Sequence, residues 1–387
     1  MKTDVTVFTT VFNVAEYLPR FFDCMLGQSY PDFLLLIIDD GSTDDTLEIC
    51  RKYADKDGRI KVVHTEHIGI AAARNMVLPM IETPFAASAD ADDVYERDYL
   101  LHLVEAQKKY DADLVISRVI YRDEAYNRRT GFVARGEQLI NREDFKEQIP
   151  ALLKERRLNY LYGKLYRSKL LRTCSVEPDV RMGSDTMINS QYVLKINSIA
   201  LIDDEDVNYI NYQTRSVTSY IGPSVFSDFI RIQSFIADTF RESELWSDEM
   251  QRICDGRMLI SANHSLAKVA KMQDSLLDKY IRARDIVHSS AYQEAYERQR
   301  TLGNLEKYPF HVIEPGEEVE AMNRAAGLCL LEKRELDELK KENRWLQSEV
   351  DRFGNSNSWR IGRVITFPVR MFKLLVEKVR KRTKPDR

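Results

Sequence analysis

The chain has 387 residues, of which 44% are hydrophobic and 30% are charged, and this length predicts two or three folded units. Its five cysteines are scattered without a CxxC pair, which argues against a disulfide framework or a zinc site and favours reduced thiols. The net charge of −4 combines +8 over residues 354–387, from ten basic and two acidic side chains, with −12 elsewhere. An acidic body with a basic tail is not the usual profile of a nucleic-acid-binding protein.

No run of the sequence approaches the roughly 18 apolar residues of a membrane span. A strand-like run already begins at Val5, which leaves no room for the apolar core of a signal peptide. We therefore expect a cytoplasmic protein.

The first 125 residues alternate between apolar runs and segments with helical spacing. The runs predict strands at residues 5–8, 33–38, 60–63, 85–89 and 113–117. Two of the helices predicted between them begin at 13–16, a capping-box-like segment led by Asn13, and at a cap formed by Ser42 and Thr43. The other two span residues 69–81 and 97–110. Strands that alternate with helices imply right-handed βαβ units, so we predict an α/β fold with a mostly parallel, Rossmann-like sheet.

The alternation weakens after residue 125. The patterns there predict a helical and then mixed segment at 143–172, an amphipathic helix at 184–195 and a strand pair at 199–212. They further predict a helical region at 224–296 and a linker at 303–316.

The last 60 residues carry two further patterns. Residues 329–353 place apolar side chains at heptad positions with Asn343 at an a position, which predicts a short coiled coil and a homodimer. The alternative is a solvated helix packed on its own domain. Residues 358–384 form a basic amphipathic segment with Trp359, typical of a helix lying on anionic lipid; a terminal helix packed on the core is the alternative. The excess charge favours the lipid surface, so we expect a peripheral protein on the inner face of the cell membrane.

Two aspartate clusters follow predicted strands. Asp39-Asp40-Gly41-Ser42 comes after the second strand, and Asp90-Ala91-Asp92-Asp93 comes after the fourth. Ligands bind outside the carboxyl ends of parallel strands, and carboxylates there can bind a nucleotide together with Mg²⁺ or Mn²⁺. Taken alone, the first cluster is ordinary turn chemistry. A calcium loop is an unsuitable reading of the second, because its sixth and twelfth positions are not Gly and Glu.

With these clusters, four segments resemble, in order, the signatures of the family 2 glycosyltransferases, an inverting family with the GT-A fold. They are residues 5–13, 39–44, 69–75 and the DxD-like 90–93. Residues 162–166 and 183–186 resemble the acceptor-side stretches of the family, so the resemblance covers about residues 4–220. Three departures are Thr10 for proline, His67 for asparagine, and Ser184 for glutamate.

The resemblance implies roles for individual residues. Asp92 and Asp90 would hold Mn²⁺ or Mg²⁺, Asp93 would lie behind them, and Asp185 would act alone as the base that deprotonates the acceptor. Tyr162 and Lys164 would lie on the acceptor side. The nucleotide-binding residues would be Thr9, Val11, Phe12, Glu16, Asp39, Asp40, Arg74, Asp90 and Ala91.

Several of these residues have structural alternatives. Arg74 can be a surface charge, Lys164 a salt-bridge partner, and Asp185 an ordinary helix cap. His64 and His67 are not predicted to bind zinc, because no cysteine or third histidine lies near them in the sequence.

The resemblance implies a metal-dependent inverting glycosyltransferase. We expect it to move a sugar from a nucleotide-sugar, most often a UDP-sugar, to a growing, lipid-linked surface glycan of capsule, O-antigen or teichoic-acid type. The alternatives are a nucleotidyltransferase, disfavoured because residues 9–14 lack glycine, and a membrane-associated scaffold. The predicted parts are a GT-A catalytic domain, a helical accessory region, a coiled-coil-like helix and a basic tail, at residues 1–220, 221–325, 326–353 and 354–387.

Overall fold

Two β-sheets organise the fold in the computed structural model, which describes residues 3–123, 128–211, 225–272, 274 and 276–303. The strands are β1 Val5–Val11, β2 Phe33–Asp40, β3 Ile60–Thr65, β4 Phe85–Ser88, β5 Val94–Tyr95, β6 Leu114–Ile116, β7 Val119–Asp123, β8 Arg128–Gly131, β9 Gln138–Asn141, β10 Lys164–Arg167, β11 Ser198–Leu201 and β12 Val207–Asn211. The helices are α1 Leu18–Leu26, α2 Thr46–Ala54, α3 Ile70–Val77, α4 Tyr99–Tyr110, α5 Phe145–Lys154, α6 Ser168–Leu171, α7 Ser184–Val193, α8 Val225–Arg241, α9 Asp248–Lys271, α10 Leu276–Val287 and α11 Ser290–Thr301.

The main sheet has the strand order β3-β2-β1-β4-β10-β6-β11-β9. Neighbours among β3, β2, β1 and β4 are parallel, whereas β10 runs antiparallel to both β4 and β6. The predicted α/β fold with a mostly parallel sheet is confirmed. Parallel neighbours bring the carboxyl ends of β1, β2 and β4 to one edge of the sheet.

The second sheet has the order β5-β12-β7-β8 and begins directly after the second aspartate cluster. β12 is antiparallel to β5 and parallel to β7. The backbone N–H of Ile210 in β12 donates to Asp93 Oδ1 at 3.1 Å, so this sheet is attached to the cluster itself.

Both faces of the main sheet are buried, as the side chains of β2 show. Leu35 and Ile37 belong to one apolar core, with side chains of α1 and α4, while Leu36 and Ile38 belong to the other, with side chains of α3 and α7. Successive side chains of a strand point to opposite faces, so a strand covered on both faces is apolar throughout. This explains why β2 appears in the sequence as an unbroken apolar run.

Two predicted helix starts are wrong. Helix α1 begins at Leu18, and Asn13 has φ +52° and accepts a hydrogen bond from the N–H of Thr43 at 2.8 Å. Ser42 Oγ accepts from the N–H of Asn13, and α2 begins only at Thr46. The three predicted caps instead join the loop after β1 to the loop after β2. The side chains of Asn13 and Ser42 each accept from a backbone N–H of the other loop, and Thr43 Oγ1 donates to Asn13 Oδ1.

The predictions for residues 143–296 are correct only in outline, and the predicted linker at 303–316 lies, apart from Gly303, outside the described residues. Helix α7 was expected to be amphipathic, but it is buried on nearly all sides, and α8 packs against it. The strand pair at 199–212 exists, but β11 lies in the main sheet and β12 in the second. The sequence patterns did not reveal the short strands β5 and β7–β10, which lack long apolar runs.

None of the helices within the described ranges combines the length and apolarity that crossing a bilayer requires. The described part of the predicted accessory region, 221–325, consists of helices α8–α11. The predicted coiled coil at 326–353 and the predicted tail at 354–387 lie outside the described residues.

Candidate active site

The predicted nucleotide and metal residues come from neighbouring strands. Asp39 and Asp40 end β2, Val11 ends β1 in register with Asp39, and the 90–93 cluster follows β4 on the other side of β1. The structure therefore brings both aspartate clusters to the same edge of the main sheet.

Asp39 is fully buried, and its two carboxylate oxygens differ. Oδ2 lies 2.6 Å from His64 Nδ1 of β3, whereas Oδ1 has no hydrogen-bond partner within the described ranges. Thr9 Oγ1 of β1 is likewise buried without a partner there. Buried polar atoms are normally hydrogen-bonded, so unpartnered ones at a strand edge indicate a place where a ligand binds.

Asp40 is occupied within the protein. Its Oδ1 accepts from the N–H of Ile68 at 2.7 Å, and its Oδ2 accepts from the N–H of Gly69 at 3.0 Å. These donors lie at the start of α3, where a carboxylate is favoured by the helix dipole. Asp40 therefore fixes the entry to the helix that carries Arg74.

The remaining residues of the predicted nucleotide site differ in exposure. Phe12 is 41% exposed and stacks on His67, with ring centroids 4.1 Å apart and planes 20° apart. Glu16 is also exposed, whereas Val11 and Ala91 are buried. Phe12 thus offers an aromatic surface near the buried oxygen of Asp39, and His67, the departure from the family pattern, lies against it.

The second aspartate cluster concentrates negative charge. Burial and, to a lesser extent, the charges of Asp185 and Asp92 raise the pKa of Asp90 to about 7, against the opposing charge of Arg74. Burial also raises the pKa of Asp92. Asp93 is completely buried and its Oδ2 has no partner among the described residues. Close, partly desolvated carboxylates repel one another, so the cluster favours binding a cation.

Arg74 joins the two parts of the site. Its Nη1 donates to Asp185 Oδ1 and to Ser184 Oγ, across more than 100 residues of sequence. Arg74 is buried, and the second oxygen of Asp185 accepts from the N–H of Leu161 at 3.4 Å. Asp185 lies in the first turn of α7, as the helix-cap alternative requires, but its carboxylate bonds outside that helix.

The predicted acceptor-side residues are buried beside Asp185. Lys164 Nζ donates to the carbonyl oxygens of Tyr160 and Tyr162, at 2.6 and 3.3 Å. Burial lowers the pKa of Lys164 to about 7, against the opposing charge of Asp185. Tyr162 is buried as well, and its backbone pairs with Ser88 at the end of β4. The two side chains thus support the 160–164 segment rather than offering exposed groups.

Sequence reasoning missed His64, Asn13 and the group formed by His102, Asp204 and Asp206. His102 Nδ1 lies 2.9 Å from Asp206 Oδ1 and 3.7 Å from Asp204 Oδ1, in an ion-pair cluster before β12. No spacing rule connects positions that are 25 to 104 residues apart. His64 pairs with Asp39 in the neighbouring strand, so both side chains lie on the same face of the sheet. The alternation of side chains along β3 was the one sequence signal that pointed to this contact.

Comparison with known proteins identifies the part of the chain that carries these features. Residues 6–174 match the family model described as Glycosyl transferase family 2. This part of the chain belongs to glycosyl transferase family 2. The family 2 domain includes both aspartate clusters and Arg74, and the match ends before Asp185.

Curated relatives of the family 2 domain come from bacteria. Glycosyltransferase GlyA of Streptococcus pneumoniae is 27% identical over 203 residues, 49% of this chain and 28% of the relative. GlyG of the same organism is 31% identical over 126 residues, 32% of this chain and 42% of the relative. The poly(ribitol-phosphate) β-N-acetylglucosaminyltransferase TarS of Staphylococcus aureus is 24% identical over 242 residues, 60% of this chain and 40% of the relative. The chain spans less than half the length of these relatives.

The solved structure of TarS residues 1–349 in complex with UDP-GlcNAc resembles this chain with a TM-score of 0.59 and 16% identity. The alignment covers 84% of this chain and 92% of that structure. The likeness shows the GT-A fold, and the aligned share of the chain is larger than the family 2 domain.

Proposed function

We propose that this protein is an inverting glycosyltransferase that moves a sugar from a UDP-sugar to a hydroxyl of a growing surface glycan. The observation that carries the proposal is that a buried acceptor, Asp39 Oδ1, which has no partner among the described residues, and the carboxylate cluster 90–93 lie at the same sheet edge, on the two strands that flank β1. Such an edge can bind the base at β2 and the diphosphate at β4, on either side of β1. The names of the relatives and the ligand in the TarS title support the choice of donor.

The base-binding part favours a nucleobase with an N–H donor. An ionised carboxylate only accepts hydrogen bonds, so Asp39 Oδ1 suits the N3–H of uracil and not the bare N3 of cytosine. Phe12 offers a stacking surface for the ring, and Thr9 Oγ1 offers a further polar contact. In this proposal Asp40 is a positioning residue, because its oxygens are occupied by backbone donors.

The donor set fits Mg²⁺ or Mn²⁺. All candidate ligands are carboxylates, the chemistry that hard cations prefer, and Asp93 Oδ2 is buried without a partner among the described residues. Asp92 and Asp90 would hold the ion with the diphosphate, and Asp93 would support them. A bound cation would supply charge neutralisation for the departing diphosphate.

Asp185 is the proposed base. In the transfer, the acceptor oxygen forms a bond to the anomeric carbon, its proton passes to the Asp185 carboxylate, and the bond to the diphosphate breaks. Arg74 orients Asp185 through one oxygen, and the Leu161 N–H holds the other. Because attack and departure take place on opposite sides of one carbon, the configuration inverts.

The test of this proposal is turnover. UDP release from a panel of UDP-sugars, with Mn²⁺ and cell-wall glycan extracts as acceptors, should occur with the wild type and fall by about 100-fold or more in Asp185→Asn. UDP affinity should stay the same in that variant. Asp238→Asn, at an exposed ion pair of α8, is the matched control and should keep full turnover. UDP binding without turnover of any sugar would favour the scaffold alternative.

We further propose that the acceptor is lipid-linked and that residues 354–387 hold the enzyme at the inner face of the membrane. The +8 charge of that segment supports this proposal. Deleting it should lower sedimentation with anionic liposomes and leave UDP affinity unchanged. Equal sedimentation of both forms would remove the membrane part of the proposal.

A further inference from the structure

Four tyrosines converge beside the candidate site and form what we call the tyrosine patch: Tyr121, Tyr160, Tyr162 and Tyr209. Parallel pairing of β7 with β12 places Tyr121 opposite Tyr209, so both side chains lie on one face, with ring centroids 5.5 Å apart. Tyr160 stacks on Tyr162 at 4.9 Å, and both rings lie within 6.2 Å of Tyr209. Three separate segments of the chain therefore contribute rings to one place.

The patch is partly open. Tyr162 is 1% exposed, whereas Tyr121, Tyr160 and Tyr209 are each partly exposed. On the same sheet face, Val119 and Val207 pack close to Gly163, so the valines are covered by the 160–164 segment. Tyr121, Tyr160 and Tyr209 continue this face past the covered part and present a partly exposed aromatic surface, whereas the hydroxyl oxygens of Tyr121 and Tyr162 are buried.

The patch lies between the two proposed halves of the reaction. Tyr160 adjoins Leu161, whose N–H donates to Asp185, the proposed base. Tyr209 adjoins Ile210, whose N–H donates to Asp93 in the proposed cation-binding cluster. Adjacent residues are only about 3.8 Å apart along the chain, so the patch flanks both carboxylates. In the proposed transfer, an acceptor lying against the patch would have both the base and the cation-binding cluster beside it.

We propose that the tyrosine patch binds a pyranose ring of the acceptor glycan next to the sugar that receives the transfer. This inference rests on the proposed glycosyltransfer and names its acceptor subsite. A pyranose ring has an apolar face of C–H groups and a rim of hydroxyls. The apolar face of a pyranose matches the faces of the tyrosine rings, which carry negative partial charge. A simple polyol phosphate chain lacks such a face.

Leucine and phenylalanine variants separate stacking from packing and hydroxyl contacts. Tyr160→Leu and Tyr209→Leu keep apolar bulk but remove the ring, whereas Tyr160→Phe and Tyr209→Phe keep the ring. Tyr110→Leu, at the far end of α4, is the remote control. Thermal unfolding followed by circular dichroism verifies that each variant is folded.

The readout is saturation-transfer NMR on the full chain with UDP and Mn²⁺. The probes are methyl β-glucopyranoside, methyl β-galactopyranoside and methyl β-N-acetylglucosaminide, with glycerol as a ringless control. We expect transfer to the ring C–H protons of at least one glycoside but not to glycerol. The leucine variants should weaken this binding about five- to tenfold, and the phenylalanine and Tyr110 variants should retain it.

Parallel titrations of UDP and UDP-GlcNAc identify which sugar the patch binds. The proposal requires both affinities to be unchanged in the leucine variants. A loss of UDP-GlcNAc affinity alone would assign the patch to the donor sugar and overturn the acceptor assignment. Wild-type protein that binds none of the glycosides, or leucine variants that bind as well as the wild type, would also overturn it. Glycoside binding that depends on the patch, in a chain that does not bind UDP, would refute the proposed transferase but keep the carbohydrate site.

Discussion

Replacing Asp40 with Asn tests how the first aspartate cluster holds the site together. The carboxylate accepts from two backbone N–H groups, those of Ile68 at 2.7 Å and Gly69 at 3.0 Å. An amide offers only one acceptor atom and points an NH₂ group at the other donor. Asp40→Asn therefore loses one hydrogen bond to a charged group and leaves a backbone donor unsatisfied.

The magnitude follows from these two losses. A hydrogen bond to a charged group contributes about 1.5–3 kcal/mol, and a buried donor without a partner costs about 1–3 kcal/mol. Because these two figures partly describe the same contact, we expect the free energy of unfolding to fall by about 2–4 kcal/mol. Asp40 is 3% exposed, so water cannot replace the missing partner. Urea unfolding should show a lower midpoint with an unchanged slope.

The control for this experiment is Asp55→Asn, an exposed residue at the end of α2. It should change the free energy of unfolding by less than about 0.5 kcal/mol. If Asp40→Asn were no more destabilising than this control, the positioning role of Asp40 would be refuted. Its carboxylate would then be free for direct contact with a nucleotide.

Three further changes test other parts of the structure. Gly183→Ala should lower the free energy of unfolding in urea by about 2–4 kcal/mol, because φ is +78° and a Cβ would lie 2.5 Å from a side chain of α8. Gly303→Ala, where φ is +65° and the space is open, should lower it by only about 1 kcal/mol. Equal losses in the two variants would contradict this reading. Burial raises the folded-state pKa of Asp206 from 3.8 to about 6, so folding favours its protonated form and the stability falls as pH rises from about 4 to 6. Asp206→Asn should remove up to about 3 kcal/mol of that fall, as measured by unfolding across this pH range. For its partner His102, burial lowers the pKa, but the hydrogen bond and charge of Asp206 outweigh burial and the pKa is raised. This adds stability below about pH 6.5 that is lost above it. An Asp206→Asn variant whose stability had the same pH profile as the wild type would refute both effects. His64→Ala should weaken UDP binding about tenfold or more in calorimetry, because it removes the donor that orients the buried carboxylate at the base site, and unaltered affinity would count against that role.

The first half of the fold follows from local patterns. Unbroken apolar runs revealed β1–β4 because both faces of the main sheet are covered, and helical spacing revealed the helices between them. The cap predictions failed because a short polar side chain has equal access to its own helix and to a neighbouring loop. Asn13 bonds across to the loop after β2, and nothing in its local sequence distinguishes the two outcomes.

The second half depends on long-range pairing. β10 has four residues and lies antiparallel between β4 and β6, so no βαβ pattern announces it. The contact between Arg74 and Asp185 joins positions that only the folded sheet brings together. Motif resemblance selected both residues, but the ion pair itself, the partner of Asp39 and the tyrosine patch required the three-dimensional arrangement.

Calorimetric titration of UDP, with and without Mn²⁺, on the wild type and on Asp92→Asn tests the central claim most directly. The account predicts binding that Mn²⁺ strengthens in the wild type and that the substitution reduces to its metal-free level. Absence of UDP binding in every condition would contradict the donor site. Binding that neither Mn²⁺ nor Asp92→Asn changes would contradict the proposed cation site.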